Sequence, residues 1–258
     1  MSRPSLDSGY NPSMLPISIL HKDTTESTMD DARGAVLSGY GHGTLCTAAK
    51  QSSGRGRIRG RKWEGGEGAL LFTLVIHENE YNAAYPLTQF LALAVCYWLE
   101  NRHGLEPRIK WPNDVCISGS KIAGMLVERE GPFFLAGVGV NLNSSPETLR
   151  QTATSLILAK GIHTGYAPFY NKDSELSALL AIIERNLGAG PPIEEVAGRL
   201  RGIGAGVKLC LGNPARKERL RGKMLGLQAD GALLIAMKSG KTHAVYSGEI
   251  EEIRIDVK

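Results

Sequence analysis

The chain has 258 residues, of which 42% are hydrophobic and 22% charged, proportions that exclude a mainly disordered, collagen-like or mucin-like protein. At about 150 residues per domain, this length allows one large domain or a large one with a small companion, with enough chain to bury a core without covalent staples. Thirty Lys and Arg against 26 Asp and Glu leave a net charge of +4, less than a dedicated nucleic-acid binder carries, so any such reading must rest on a local cluster.

Residues 1–16 are polar, carry Pro4, Pro12 and Pro16, and read as a loose lead-in with no room for an extra N-terminal domain. A helix starts near Ser27 or Thr28, either of which can cap it, and Asp30 and Asp31 suit the positive end of its dipole. Gly39 and Gly41 end it. A short strand follows at Thr44–Ala49, then a loop rich in Gly and Arg at Gln51–Gly68, then an apolar strand at Ala69–Ile76. Leu87, Phe90, Leu91, Ala94, Val95, Trp98 and Leu99 recur at three and four residues, one core-facing helical stripe. Pro86 opens that helix, where its missing N–H costs little, and Gly104 follows it. Strands read at Arg108–Lys110, Val115–Ile117, Ile122–Glu128 and Phe133–Val140, and helices at Asp173–Leu187 and Ile193–Leu200. Arg201–Gly206 reads as a linker. Beyond it, short strands at Val207–Cys210, Leu220–Leu227, Ala232–Met237, Thr242–Tyr246 and Glu249–Ile255, with turn residues between them, predict a small β-barrel. There are no internal repeats.

The four cysteines (Cys46, Cys96, Cys116, Cys210) form no C-x-x-C pair and the six histidines show no metal-ligand spacing. This usage fits a reducing cytoplasm. No apolar run reaches a membrane span, and the start lacks the apolar stretch of a signal peptide.

Four segments can carry chemistry. In Gln51–Trp63, Arg55, Arg57, Arg59, Arg61 and Lys62 alternate with Gly54, Gly56 and Gly60. Guanidinium forks grip phosphate bidentately, and glycines let the backbone approach a ligand. A nucleic-acid tract and a solvated basic loop are the alternatives on composition alone. In Lys110–Glu128, Pro112, Asn113 and Asp114 form a turn that can aim polar groups at a ligand. Lys121 opens the apolar strand after it. There it either binds a substrate carboxylate and offsets transition-state charge or snorkels at the strand end. Gly124 marks a close approach inside the strand. In Gly137–Asn143, two glycines make room for something bulky, and Asn141 presents an amide or starts a turn. Ser27 and Thr28 are a helix cap first. No Ser/His/Asp triad and no Walker A pattern is present.

Taken together and in this order, these segments resemble the biotin protein ligases. The match rests on Ser27-Thr28, Gln51, Gly54-Arg55-Gly56-Arg57, Arg61-Lys62-Trp63, Lys110-Trp111-Pro112-Asn113-Asp114-Val115, Lys121-Ile122-Ala123-Gly124, Gly137-Val138-Gly139-Val140-Asn141 and Ser247-Gly248-Glu249-Ile250. The resemblance implies an α/β fold, a mixed β-sheet backed by helices, with a catalytic domain over residues 17–200 and an SH3-like barrel over residues 205–258. It implies that biotin attacks ATP, with Mg2+, to give biotinoyl-5′-AMP, and that a lysine of a biotin carboxyl carrier protein then takes the biotin. By motif, Ser27, Thr28, Met29, Gln51, Gly54, Arg55, Gly56, Arg57, Lys121, Gly124 and Gly137 match biotin contacts, with Lys121 and Arg57 as the catalytic pair. Trp63, Lys110, Asn113, Asp114 and Asn141 match nucleotide contacts, and Asp114 is the candidate metal ligand. The basic loop is expected to close as a lid over the anhydride.

The chain departs from that pattern in having Met29 where the family has Asn, and one more residue in the basic loop. With only about 26 residues before Ser27, the expectation is no winged-helix DNA-binding domain, no nucleic acid and no membrane among the partners; family members are homodimers or monomers. A lipoate or octanoate ligase of the same superfamily, and a nucleic-acid module using Arg55–Lys62, are the rival readings.

Overall fold

The computed structural model describes residues 15–58, 60–63, 66–161, 170–212 and 218–254; most of the lead-in, and Arg59, lie outside these. Eight consecutive buried residues, all apolar but Thr73, make β3 (Ala69–His77) a strand buried on both faces, the centre of the larger sheet. Its neighbours are β2 (Thr44–Gln51) on one side and β7 (Phe133–Asn141) on the other. Outward from β2 lies β1 (Ser18–Thr25). Outward from β7 lie β6 (Ser120–Glu130), β5 (Asp114–Ile117) and β4 (Pro107–Lys110). The order is β1-β2-β3-β7-β6-β5-β4, with only β1 and β2 parallel.

Alternate residues of β3 enter two separate apolar clusters, which places helices on both faces. Val75 packs with Leu135 and with Met29 and Ala32 of α1 (Thr28–Leu37). Leu74 and Ile76 face the larger cluster around α2 (Leu87–His103), whose Phe90, Leu91, Trp98 and Leu99 are all fully buried. Each such side chain contributes about 1.5–3 kcal/mol of hydrophobic stabilisation. The caps follow the sequence. Ser27 accepts from Met29 N at α1, and Gly104 closes α2 in the left-handed conformation. Behind α2 packs α4 (Lys172–Asn186), with the short α3 (Leu156–Ala159) and α5 (Ile193–Ala197) at the periphery.

The sequence reading contained no strand before Ser27. β1, SILHKDTT, is an edge strand with mostly solvent-facing side chains, so it lacks the apolar alternation that marks a half-buried strand. It is held by its backbone ladder to β2.

A second, antiparallel sheet comprises β8 (Gly206–Leu211), β9 (Arg219–Leu227), β10 (Leu233–Ala236), β11 (Thr242–Val245) and β12 (Gly248–Arg254), in the order β11-β10-β9-β8-β12. The fold is thus a mixed α/β sheet backed by helices plus a small five-stranded sheet of SH3-like kind. The small sheet is docked rather than tethered: Leu209, Met224, Leu233 and Ile235 join the main apolar cluster. At the seam, the Gly231 carbonyl accepts from Gln89 Nε2 (2.8 Å) and Trp111 Nε1 (3.4 Å). Among the described residues, no helix is long and apolar enough to cross a membrane.

Gly231 has φ +81°, and a Cβ there would lie 2.6 Å from Pro86 Cδ. Gly231→Ala is therefore expected to destabilise the protein by about 2–4 kcal/mol, read as a lowered denaturant midpoint; an unchanged midpoint would show that the seam tolerates a side chain.

Candidate functional site

The site begins at the end of β2 and the start of α1. Gln51 Oε1 accepts from Thr28 N (2.8 Å) and from Thr28 Oγ1 (3.1 Å), and Thr28 Oγ1 lies 2.9 Å from Thr73 Oγ1. With the single Thr28 hydroxyl proton engaged by Gln51, Thr73 donates to Thr28. Thr73, on the floor strand β3, is fully buried. Sequence reading missed it, although a lone Thr in an otherwise apolar run was the available signal. Ser27, buried, serves as the cap of α1.

Next to this polar cluster the floor has no side chains. Gly124 of β6 pairs directly with Gly139 of β7, and Gly137 lies one pleat away on the same strand. The space over Gly139 is filled by the Trp63 indole, which a Cβ would meet at 2.7 Å; that over Gly137 is filled by Met29 Cε, at 2.8 Å from such a Cβ. Trp63 Nε1 is buried and has no hydrogen-bond partner among the described residues.

Lys121 opens β6, and its backbone is fixed on both sides: its N–H donates to Thr152 O, and its carbonyl accepts from Thr154 N. Its ammonium lies 2.7 Å from Asp114 Oδ1 and 5.3 Å from the Trp63 ring centroid. Asp114 reaches it because the Trp111–Asn113 turn is clamped to β6. Asn113 Nδ2 donates to Met125 O, and Met125 N to Asn113 O. Asn141 Nδ2 holds Thr154 O, steadying the segment beside Lys121. Lys110 sits opposite Asp114 in the ladder.

The basic loop folds as a small hairpin. Trp63 N donates to Gly54 O, Gly56 N donates to Arg61 O, and Arg55 bridges Lys62. Arg57 Nη2 donates to Gly248 O (2.6 Å), and Arg61 forms a two-pronged pair with Glu249 (2.5 and 2.9 Å). Burial lowers the Arg57 guanidinium from its ordinary value, opposed by Glu249 and Asp114. The Arg55 guanidinium turns to Asp30 of α1 (2.7 Å).

Two pockets result. The inner one, about 70 Å³, is lined by Thr28, Met29, Gln51, Thr73, Gly124, Gly137 and Gly139 among others, room for about two waters while Trp63 and Met29 fill the glycine floor. The outer one, about 500 Å³, is lined by seven cationic side chains (Arg57, Arg61, Lys62, Lys110, Lys121, Arg150, Arg201) against two acidic ones, Asp114 and Glu249. That size suits a nucleotide-sized ligand, and that charge suits polyphosphate. Gly56, Arg57, Trp63, Asn113 and Lys121 line both. Among the described residues, no group of three His, Cys, Asp or Glu is placed to hold a metal by itself.

Residues 22–143 match the biotin/lipoate A/B protein ligase family. The chain is 28% identical to the bifunctional ligase/repressor BirA of Bacillus spizizenii, over 90% of this chain and 73% of that protein. It is 35% identical to the biotin–[acetyl-CoA-carboxylase] ligase of Paracoccus denitrificans, over 55% of this chain and 62% of the relative. Its fold is similar to that of the Aquifex aeolicus biotin protein ligase in complex with biotin and ATP, with a TM-score of 0.77, 27% identity, and 92% and 99% of the two chains covered.

The glycine floor gives a test independent of any ligand. Gly139→Ala is expected to push the Trp63 indole off the floor and shift tryptophan emission to the red, with the thermal midpoint little changed. Unchanged emission would show that the indole does not rest there.

Proposed function

The chain belongs to the biotin/lipoate A/B protein ligase family, and we infer from its site how it works as a biotin protein ligase. The observation that carries this reading is the shared wall: a narrow pocket with polar groups at its inner end meets a large cationic pocket, with Lys121 and Arg57 at the junction. Biotin's ring lies in the inner pocket after Trp63 swings away, its ureido group hydrogen-bonded within the Thr28–Gln51–Thr73 cluster. A lipoyl ring has no such polar group and would leave that cluster's bonding capacity unused. ATP occupies the outer pocket.

At the junction the biotin carboxylate attacks the α-phosphorus. An O–P bond forms, the bond to pyrophosphate breaks, and biotinoyl-5′-AMP results. The enzyme's work is positioning two anions against each other and stabilising the charge that builds between them. Lys121 does this from a fixed strand end, and Asp114, on the wall of the outer pocket, aims its ammonium. A carrier lysine amine then attacks the acyl carbon; the C–N bond forms, the C–O bond breaks and AMP leaves. Lys110, Asn113, Asn141 and Trp63 are the remaining nucleotide contacts, the two amides mainly by holding backbone.

One carboxylate beside substrate phosphates is the usual setting for Mg2+, and Asp114 would hold it there, where it would neutralise triphosphate charge. The acceptor is the lysine of a biotin carboxyl carrier domain. Among the described residues, Arg55, Arg57 and Arg61 of the basic loop bond to the chain itself at Asp30, Gly248 and Glu249, which supports the ligase reading over a nucleic-acid tract. Four buried, free cysteines support a reducing, cytoplasmic setting.

Incubation with biotin, ATP, Mg2+ and a biotin carrier domain is expected to add one biotin to the carrier, read by mass; transfer of lipoate but not biotin would overturn the assignment. Lys121→Ala is expected to slow adenylate formation about 100-fold or more with the fold intact, and an unchanged rate would remove Lys121 from the chemistry. Arg57→Ala is expected to raise leakage of the intermediate as free biotin and AMP, measured without carrier; leakage at the parent level would contradict the lid.

A further inference from the structure

Arg55 begins the hairpin loop and lines the inner pocket, but its guanidinium pairs with Asp30, which lines neither pocket. Its Nη2 donates to Asp30 Oδ1 at 2.7 Å and lies 3.8 Å from Glu128 Oε2. Glu128 also accepts from Arg33 Nη2 at 2.5 Å, and Arg33 reaches Glu130 at 3.5 Å. Two arginines and three carboxylates thus alternate across the loop, α1 and β6. Both anchoring elements build the inner pocket. Asp30 lies in the first turn of α1, beside Thr28 and Met29; Glu128 lies four residues beyond Gly124 on β6.

We infer that Arg55 is a positioning residue, the anchor that ties the root of the basic loop to the two elements forming the inner pocket, rather than a contact to substrate. This rests on the ligase reading. With its root fixed, the hairpin delivers Arg57 and Trp63 to the junction of the pockets and keeps them there between the two half-reactions. When the anchor is released, the loop opens more often and water reaches the mixed anhydride. Water attacks the acyl carbon, the C–O bond to phosphate breaks, and biotin and AMP are lost. Arg55 and Asp30 are 40% and 46% exposed, so each ion pair is weak alone, and the expected effect is modest.

The test is a charge exchange. Arg55→Asp and Asp30→Arg, singly and together, are compared with the parent for AMP release from biotin and ATP without carrier, alongside the split between biotin KM and kcat. Each single variant is expected to raise AMP release about two- to fivefold. The double variant restores the opposed pair and is expected to return to near the parent rate, with biotin KM also near the parent value. Asp30→Asn, which removes the charge without inverting it, gives the smaller rise. If Arg55 instead contacts the ligand, Asp30→Arg alone leaves AMP release unchanged and the double variant is as impaired as Arg55→Asp; that result overturns the proposal. A parent protein that neither releases pyrophosphate from biotin and ATP nor biotinylates an added carrier domain fails the ligase reading itself, and the anchor with it.

Discussion

Lys121 is held where a strand, a turn and a loop converge, and the site is arranged around keeping its ammonium there. A lysine side chain is long and flexible, and in water it would sample many rotamers. Here its backbone is bonded on both sides by Thr152 and Thr154, its ammonium is paired with Asp114 at 2.7 Å, and the Trp63 ring lies beside it. The glycine at 124 leaves the space the ammonium needs, since a Cβ there would lie 2.8 Å from Nζ. A cation fixed at the join of two pockets is the arrangement needed when two anions must be brought together. In the proposed reaction such a cation would stabilise developing charge without reorganising.

The rest of the fold serves that point. β3 is buried on both faces because helices cover it on both sides, so β7 has a rigid neighbour, β6 pairs to β7 in turn, and their glycines form a stable floor. The small sheet is more than an appendage. Its Gly231 carbonyl receives Trp111 at the base of the turn that carries Asn113 and Asp114, and its Gly248 and Glu249 receive Arg57 and Arg61 of the loop. Floor, turn and loop are thus each tied to a separately buttressed element.

Much of this was legible in the chain. The helix from Leu87 is announced by its apolar stripe, and β3 by its apolar run. The site motifs converge on one cleft because tight backbone approaches demand glycine and because the pairing of β5 with β6 leaves Asp114 within reach of Lys121. What stayed hidden was tertiary. β1 is polar because it lies at the sheet edge. Thr73 reads as a β-branched strand residue until Thr28 is placed against it. Arg55 and Arg57 are alike in sequence, yet one bonds to Asp30 and the other to Gly248. Local propensity carries no information about which partner lies opposite.

A crystal structure of the protein soaked with biotin and ATP tests the central claim most directly. The account predicts Trp63 displaced from Gly139, biotin over the glycine floor, and the Lys121 ammonium hydrogen-bonded to the carboxylate or the acyl phosphate. An ammonium turned to solvent, with the inner pocket still closed by the indole and the vitamin bound elsewhere, would contradict it.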